Sequence, residues 1–435
     1  MKFSTINRNI LRLALPSIMA NITVPLVGIV DLAIAGHLGD AASIGGIAIG
    51  SMLFDLLYWN MGFLRVGTGG ITAQAYGRRD FKEAMDTFTR GMATALTVAL
   101  LIWIIQWVYI EVAFALVICS PEVENIAREY FFIRVWAAPA TLSLMVFKGW
   151  FIGMQNTVLP MAVDITVNVV NVVVSYILAV HTPMGVAGVA AGTLVAQYSG
   201  LLLATILMHF NFRKYFHLIS VKASINLNKM KHFFSINGNL FIRSLCMLVI
   251  YIGFTSIAAK YGDTLLAVSS VMMKLLLLYS YFVDGFAYAG EALVGRFIGE
   301  RNSDSLVSTV RWIFIWCFGI SIFSTLVYAG LGKPMFRLMT DNIAVVEAST
   351  PFLFWLLLMP VVSCIAFTWD GIFIGATATN HLRNSMIWSA ALFIVTYVAF
   401  ESLLGIQSLY LAYFVHLLVR SLYLTIVRKS ALTIK

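Results

Sequence analysis

Residues 92–119 read MATALTVALLIWIIQWVYIEVAFALVIC, a run in which Glu111 is the single charged side chain. A helix crosses the hydrocarbon core of a bilayer with roughly 20 predominantly apolar residues, so this run is long enough to span a membrane. The whole chain has the same character, because 60% of its 435 residues are hydrophobic and 11% are charged. Soluble domains are roughly half apolar and roughly one quarter charged. The composition therefore predicts a membrane protein.

Apolar segments of sufficient length occur twelve times, and we predict one membrane-spanning helix for each. The first of them lacks a cleavage pattern, so we expect a mature helix rather than a signal peptide. The predicted fold is therefore all-α and polytopic, with twelve transmembrane helices at approximately 11–36, 45–73, 92–119, 130–153, 158–180, 186–210, 240–259, 265–294, 312–331, 351–374, 387–404 and 409–427.

Basic residues are divided unevenly between the two sides of the predicted membrane. With both termini on the cytoplasmic side, most Lys and Arg residues fall in cytoplasmic connections, and the outer connections hold Arg128, Lys260, Lys333 and Arg337. The positive-inside rule then predicts cytoplasmic N- and C-termini in a bacterial inner (plasma) membrane. This topology also explains the net charge of +9. We therefore expect the lipid bilayer, and no nucleic acid, as the macromolecular partner.

Three short motifs recur 222 or 223 residues apart: Gly39-Asp40 with Gly262-Asp263, Tyr76-Gly77 with Ile298-Gly299, and Phe151-Ile152-Gly153 with Phe373-Ile374-Gly375. A common offset indicates duplication, and an offset of six helices inserts both halves in the same direction. We predict two pseudo-symmetric six-helix bundles related as a parallel repeat around a central cleft. The predicted domains are an N-terminal lobe at 1–210, a cytoplasmic linker at 211–235 and a C-terminal lobe at 236–435.

Ionisable side chains inside the predicted spans are candidates for function, because a charge in hydrocarbon is costly unless it faces a cavity or a partner. Asp31 lies in the first helix after Pro16 and Pro25, and each proline removes a backbone hydrogen bond and permits a bend. A carboxylate in a low-dielectric cavity favours its protonated form. We predict proton coupling or cation binding at Asp31, with a structural, hydrogen-bonded carboxylate as the alternative.

A second set of candidates consists of polar side chains on the fifth and sixth predicted helices. Asn168, Asn171 and Ser175 are spaced at i, i+3 and i+7, so they share one face of the fifth helix. Thr193 lies on the sixth helix. Such residues either orient a carboxylate and line a cavity or form ordinary interhelical hydrogen bonds.

The C-terminal half carries three acids that are candidates for a substrate cleft or a second carboxylate site. Asp284 and Glu291 are seven residues apart in the eighth predicted helix and share a face. Asp370 lies in the tenth predicted helix, at the position that the repeat relates to Lys148. The alternative is an ion pair with Lys148 or Lys274.

The sequence has no pattern typical of an enzyme or a metalloprotein. Its four cysteines lie scattered in apolar stretches without paired spacing, which indicates neither disulfides nor a zinc site. It contains no His-rich cluster, no paired acidic motif and no nucleophile beside a base. We expect no enzymatic activity, no metal and no cofactor. No transport role is assigned to the intramembrane arginines that could snorkel or pair near helix ends, among them Arg65, Arg134, Arg243 and Arg420.

Seven stretches carry a family resemblance: LALP at 13–16, VDLA at 30–33, GHLG at 36–39, QAYG at 74–77, GFAY at 285–288, EALVG at 291–295 and DGIFIGAT at 370–377. With these motifs the chain resembles the multidrug and toxic compound extrusion (MATE) transporters, and within them the DinF-like branch. The resemblance implies alternating outward- and inward-facing states. It also implies export of lipophilic, cationic or other amphipathic organic compounds in exchange for H⁺ or Na⁺, and we expect a monomer.

The same resemblance implies roles for individual residues. The acidic residue of the family's first helix maps to Asp31, and its partners in the fifth and sixth helices map to Asn171, Ser175 and Thr193. Ser175 departs from the pattern, because many members carry aspartate at this position. Na⁺ prefers several oxygen ligands with compensating negative charge, so the loss of one carboxylate favours H⁺ as the coupling ion.

One alternative function stays open at the level of the sequence. Lipid-linked oligosaccharide flippases of the same superfamily share the two-lobe plan, and their cleft is expected to carry several cations for the diphosphate. The cations that keep this alternative open are Arg65, Lys148, Arg243 and Lys274.

Overall fold

The computed structural model describes residues 3–37, 41–117, 119–340 and 342–433, and these residues are almost entirely helical. The helices are α1 (Phe3–His37), α2 (Ala41–Trp59), α3 (Phe63–Gly77), α4 (Phe81–Leu116), α5 (Pro121–Arg134), α6 (Ala138–Gly153), α7 (Val158–Val180), α8 (Val186–Phe212), α9 (Val221–Ser224), α10 (Leu227–Ala259), α11 (Asp263–Gly299), α12 (Ser303–Met339), α13 (Ile343–Ala348), α14 (Leu353–Gly375), α15 (Thr379–Leu404) and α16 (Gln407–Ala431).

Short 3₁₀ turns join some of these helices into longer spans. The turn Asn60–Gly62 connects α2 to α3, Val135–Ala137 connects α5 to α6, and Thr350–Phe352 precedes α14. With these joints, the described residues contain twelve helical spans that are long and apolar enough to cross a membrane. The predicted all-α, twelve-helix membrane fold is confirmed.

The helices extend beyond their apolar segments. The third span was predicted to begin at Met92, but α4 begins at Phe81, where the side chain of Asp80 caps the helix by accepting the Glu83 N–H at 3.0 Å. The 36 residues of α4 are about 54 Å long, whereas the hydrocarbon core is about 30 Å thick. Hydropathy therefore located the membrane segment, and the polar first turns project beyond it.

The duplication is visible in the backbone. Arg79 and Arg301 have φ angles of 59° and 57°, and Gln155 and Thr377 have φ angles of 64° and 54°. Each pair is separated by 222 residues and follows the end of a helix, and non-glycine residues rarely adopt this left-handed conformation. Two matched pairs of a rare conformation support the predicted repeat. Its remaining landmark, Gly39-Asp40, lies outside the described residues.

The two halves also share a close helix contact. A Cβ atom added to Gly149 of α6 would lie 2.1 Å from the carbonyl oxygen of Arg65 in α3. A Cβ atom added to Gly371 of α14 would lie 2.1 Å from the carbonyl oxygen of Ala287 in α11. Both glycines and both carbonyls are related by the 222-residue offset. Small residues let membrane helices approach this closely, so the repeat conserves a packing contact as well as a turn geometry.

Contacts divide the chain into two compact units. The N-terminal unit is Met19–Phe234, and the C-terminal unit is Met1–Ile18 with Ser235–Lys435. The first boundary cuts the continuous helix α1 between Pro16 and Pro25, and the second cuts α10. Most of the linker at 211–235 therefore belongs to the N-terminal unit, and the first half of α1 to the C-terminal unit. The lobe bounds 1–210 and 236–435 stay a prediction.

Candidate functional site

Three of the predicted polar residues meet between α7 and α8 in the N-terminal unit. Asn171 Nδ2 donates a hydrogen bond to Thr193 Oγ1 at 2.9 Å. The hydroxyls of Ser175 and Thr193 both donate to the carbonyl oxygen of Val189, at 3.3 and 3.2 Å. All three side chains are buried. A Cβ atom on Gly192 would lie 2.2 Å from Ser175 Oγ, so the glycine permits the close approach that forms this cluster.

Asn168 connects α7 to α1 and thereby sets the level of Asp31. Its Nδ2 donates to Thr23 Oγ1 at 2.7 Å. The two helices are the fifth and first spans, so they run in the same direction. Ser175 lies seven residues after Asn168, about 10 Å further along its helix, and Asp31 lies eight residues after Thr23, about 12 Å further. This register places Asp31 near the level of Ser175.

Asp31 itself is a half-buried acid on which the charge of Arg134 acts. Its Oδ1 is buried and accepts no hydrogen bond from the described residues. The positive charge of Arg134 in α5 acts on Asp31, and it acts also on Asp55 in α2. Arg134 donates to the Tyr130 hydroxyl at 2.9 Å and lies over the Phe54 ring at 4.8 Å. Asp31, Asp55 and Arg134 together carry one net negative charge when all three are ionised, and one proton or one monovalent cation would balance it.

Arg134 is not among the site residues that the sequence predicts. It is the last residue of α5, as expected of a cation near a helix end, but a 3₁₀ turn continues the same span into α6. The available signal was weak: an arginine inside an apolar region, with two acids on other helices. Of the predicted residues, Asn171, Ser175 and Thr193 lie together in one cluster, and Asn168 is hydrogen-bonded to α1. The charge of Arg134 acts on Asp31.

In the C-terminal unit, Asp370 is held by two arginines. Arg243 Nη2 in α10 donates to Asp370 Oδ2 at 2.5 Å, and Arg420 Nη2 in α16 donates to the same oxygen. Lys148 instead forms an ion pair with Asp164 in the N-terminal unit. Of the two alternative partners named for these acids, Lys148 is therefore not paired with Asp370 in the described structure. Arg243 is the central residue of α10 and cannot reach a helix end, so it pairs with an acid on a neighbouring helix.

The other two predicted acids lie in different environments on α11. Glu291 is fully buried, and its carbonyl oxygen would lie 2.5 Å from a Cβ atom on Gly375, so it marks the close contact of α11 with α14. Asp284 is half-buried, two turns earlier. Their role in substrate binding stays a prediction. Throughout the described ranges, no group of three or more His, Cys, Asp or Glu side chains is arranged to hold a metal ion.

Comparisons with known proteins agree with this architecture. The family model described as MatE matches residues 16–177 and 240–399. The chain is 33% identical over 416 residues to the DNA damage-inducible protein F of Escherichia coli (strain K12), which covers 95% of this chain and 90% of that protein. It is 20% identical over 354 residues to a probable multidrug resistance protein NorM of Photorhabdus laumondii, covering 78% and 76%. The crystal structure of the Vibrio cholerae MATE transporter VcmN in the bent form superposes with a TM-score of 0.86 at 15% identity, covering 99% of this chain and 98% of that chain.

Proposed function

Because the chain belongs to the MatE family of multidrug and toxin extrusion transporters, we propose that it is a secondary antiporter that exports lipophilic, cationic or other amphipathic organic compounds in exchange for H⁺. It is a multi-pass membrane protein, and members of the family are transporters rather than enzymes. The Lys and Arg distribution supports a bacterial inner-membrane location with both termini cytoplasmic. We propose a monomer that needs no cofactor beyond the coupling ion.

The observation that carries this proposal is the buried Oδ1 of Asp31, which accepts no hydrogen bond from the described residues and on which the charge of Arg134 acts. A buried carboxylate oxygen without a donor is costly, and protonation removes that cost. Na⁺ would require several oxygen ligands. Asn171 offers one oxygen without a donor, its Oδ1, and the neutral hydroxyl of Ser175 stands where a carboxylate would supply the compensating negative charge. This arrangement favours H⁺ over Na⁺.

The proposed cycle couples the charge of Asp31 to the shape of α1. Charged Asp31 stabilises the state that holds the compound, and its protonation from outside leaves Arg134 to Asp55 and allows α1 to bend. The unit boundary at Ile18–Met19 lies between Pro16 and Pro25, which supports a bend in this part of α1. A proton and a substrate drive such a cycle only if each binds the two states differently.

Dye efflux from proteoliposomes tests the proposal under a pH gradient and, separately, under a Na⁺ gradient at uniform pH. Asp31→Asn is expected to lower the rate of proton-driven efflux by about tenfold or more, because an amide cannot bind and release the coupling proton. The matched control is Glu111→Gln, because the Glu111 side chain is 69% exposed and pairs with Arg128. Full proton-driven efflux by Asp31→Asn would contradict the role of Asp31, and efflux driven by Na⁺ alone would reassign the coupling ion.

The alternative function, flipping of a lipid-linked oligosaccharide, depends on cations that can bind a diphosphate. Lys148 is paired with Asp164, so this cation already has a carboxylate partner of its own, whereas Arg243 shares Asp370 with Arg420. Efflux of a dye that carries no diphosphate group would support the antiporter function. Movement of a diphosphate lipid across the membrane, without dye efflux, would support the flippase.

A further inference from the structure

Arg243, Asp370 and Arg420 form an ion cluster with more positive than negative charge. Both arginines donate to the same carboxylate oxygen, Asp370 Oδ2. The exposed fractions of the three side chains are 14%, 12% and 2%. Arg243 is central in α10, and Arg420 lies close to the middle of α16, so both charges belong to the membrane-spanning part of their helices. One carboxylate thus faces two guanidiniums in a region of low dielectric.

This imbalance is energetically unfavourable unless an anion completes it. Asp370 attracts Arg420, but Arg243 repels it across the shared carboxylate. One carboxylate neutralises one guanidinium, and the second keeps a charge that is expensive to bury. An additional negative charge beside the cluster would remove the excess.

The cluster also has hydrogen-bonding capacity that nothing nearby uses. Within the described parts of the chain, the Nε–H groups of Arg243 and Arg420 are buried and have no acceptor. His416, one turn before Arg420 in α16, is 5% exposed, and its Nδ1 has no partner among these residues. Asp370 Oδ1 is likewise buried without a donor. Arginine side chains present N–H groups in a planar fork that matches carboxylate, sulfonate and phosphate oxygens.

Aromatic rings adjoin these donors. The Phe367 ring lies 5.7 Å from the guanidinium carbon of Arg420, and Tyr413 packs against His416 with ring centroids 5.6 Å apart. Phe367 is half-buried, so its ring has accessible surface. Rings beside a cationic group suit a ligand that joins an anionic group to an apolar, flat body.

We propose that the Arg243–Asp370–Arg420 cluster binds the anionic group, a carboxylate, sulfonate or phosphate, of the amphipathic compound that the protein exports. The proposal rests on the proposed export function for the identity of the ligand. Arg243, which is more exposed than Arg420, makes the first contact. Asp370 competes with the ligand for both guanidiniums and thereby keeps binding weak enough for release. The assignment keeps Asp370 as a candidate of the substrate cleft, but it makes the two arginines the groups that contact the ligand.

Two dyes with one xanthene scaffold and opposite charge test this site: fluorescein as the anion and rhodamine 6G as the cation. Their equilibrium binding to the full-length protein in lipid nanodiscs is measured by fluorescence anisotropy. Arg243→Gln is expected to weaken fluorescein binding about tenfold, or about 1.4 kcal/mol, and to leave rhodamine 6G binding no weaker than in the wild type. Asp370→Asn is expected to tighten fluorescein binding, because it removes the competing carboxylate.

The matched control is Arg383→Gln in the same unit, because Arg383 donates to Asn239 and Asn384 rather than to a carboxylate. It should leave fluorescein binding within about twofold of the wild type, less than about 0.5 kcal/mol. Unchanged fluorescein binding in Arg243→Gln, or weaker binding in Asp370→Asn, would overturn the proposal. The opposite signs expected for these two variants cannot both result from misfolding.

Two further measurements complete this test. The first distinguishes the exported compound from a small inorganic anion as the ligand, and the second distinguishes failure of the anion site from failure of the proposed transport function. If millimolar chloride or inorganic phosphate displaces fluorescein, the site takes a small inorganic anion and the assignment to the exported compound is wrong. Equilibrium binding requires no ion gradient. Failure of gradient-driven efflux with intact fluorescein binding would therefore contradict the antiporter and leave the anion site standing.

Discussion

At the scale of single residues, the proposed proton coupling in the N-terminal unit depends on Arg134 of α5. Its charge acts on two acids that lie on other helices, Asp31 in α1 and Asp55 in α2. Replacing Arg134 with Gln removes this counter-charge from both carboxylates. We expect Arg134→Gln to reduce proton-driven dye efflux in proteoliposomes by about tenfold. Arg134→Lys keeps the charge but loses the planar contact with Phe54, so an intermediate loss is expected.

Arg128→Gln on the same helix is the control for this prediction. Arg128 pairs with Glu111 and Glu124 and its side chain is 24% exposed, so its removal should change efflux little. Equal efflux by the Arg134 and Arg128 variants would show that Arg134 takes no part in coupling.

The same scale shows what the sequence could and could not reveal. Asp31, Asn171, Ser175 and Thr193 stand out as polar side chains in apolar helices, and the structure places the last three in one hydrogen-bonded cluster. The partners of Asp370 could not be foreseen, because they lie 127 and 50 residues away in the chain. Which cation faces an acid depends on the rotation of each helix about its axis, and a single sequence with many intramembrane arginines leaves that rotation open.

At the scale of elements, the contact of α3 with α6 and the contact of α11 with α14 are equivalent in the two halves, and both pack a glycine against a backbone carbonyl group. Gly149→Ala and Gly371→Ala each insert a Cβ atom 2.1 Å from a backbone carbonyl oxygen, which forces the helices apart. Overpacking of this kind typically costs about 1–3 kcal/mol. We expect each variant to lower the apparent melting temperature of the purified protein by several degrees, with effects of similar size because the contacts are equivalent.

Gly319→Ala in α12 is the matched control, because its Cβ atom would meet nothing within 4 Å. Alanine is the better helix former, so this variant should be as stable as the wild type or more stable by up to about 1 kcal/mol. If the Gly149→Ala protein had the same apparent melting temperature as the Gly319→Ala protein, the proposed packing role of Gly149 would be contradicted. Sequence alone suggested the repeat through Gly153 and Gly375 but could not show that the neighbouring glycines face carbonyl groups.

At the scale of the whole molecule, the connection between the halves is bound to the N-terminal unit rather than merely tethered to it. Asp86 of α4 is fully buried, and it accepts hydrogen bonds from Ser224 Oγ at 2.8 Å and from Lys229 Nζ at 3.0 Å. Lys229 also pairs with Glu83 at 3.0 Å. Both donors lie in the segment 211–235 that the sequence predicted to be a polar linker. The composition of the sequence predicted where this linker lies. It could not predict that the linker is bound to Asp86, because Asp86 lies more than 130 residues away in the chain.

The attachment through Asp86 predicts a change in protease sensitivity. Asp86→Asn removes the charge that holds Lys229 and leaves a buried amide in its place, so Lys229, which is 43% exposed, keeps Glu83 as its acidic partner. We expect limited trypsin digestion of the full-length protein to cut within 211–235 at least several times faster than in the wild type. Asp304→Asn is the control, because Asp304 is an exposed acid in the first turn of α12. If Asp86→Asn and Asp304→Asn proteins are cut at the same rate, Asp86 does not hold the linker.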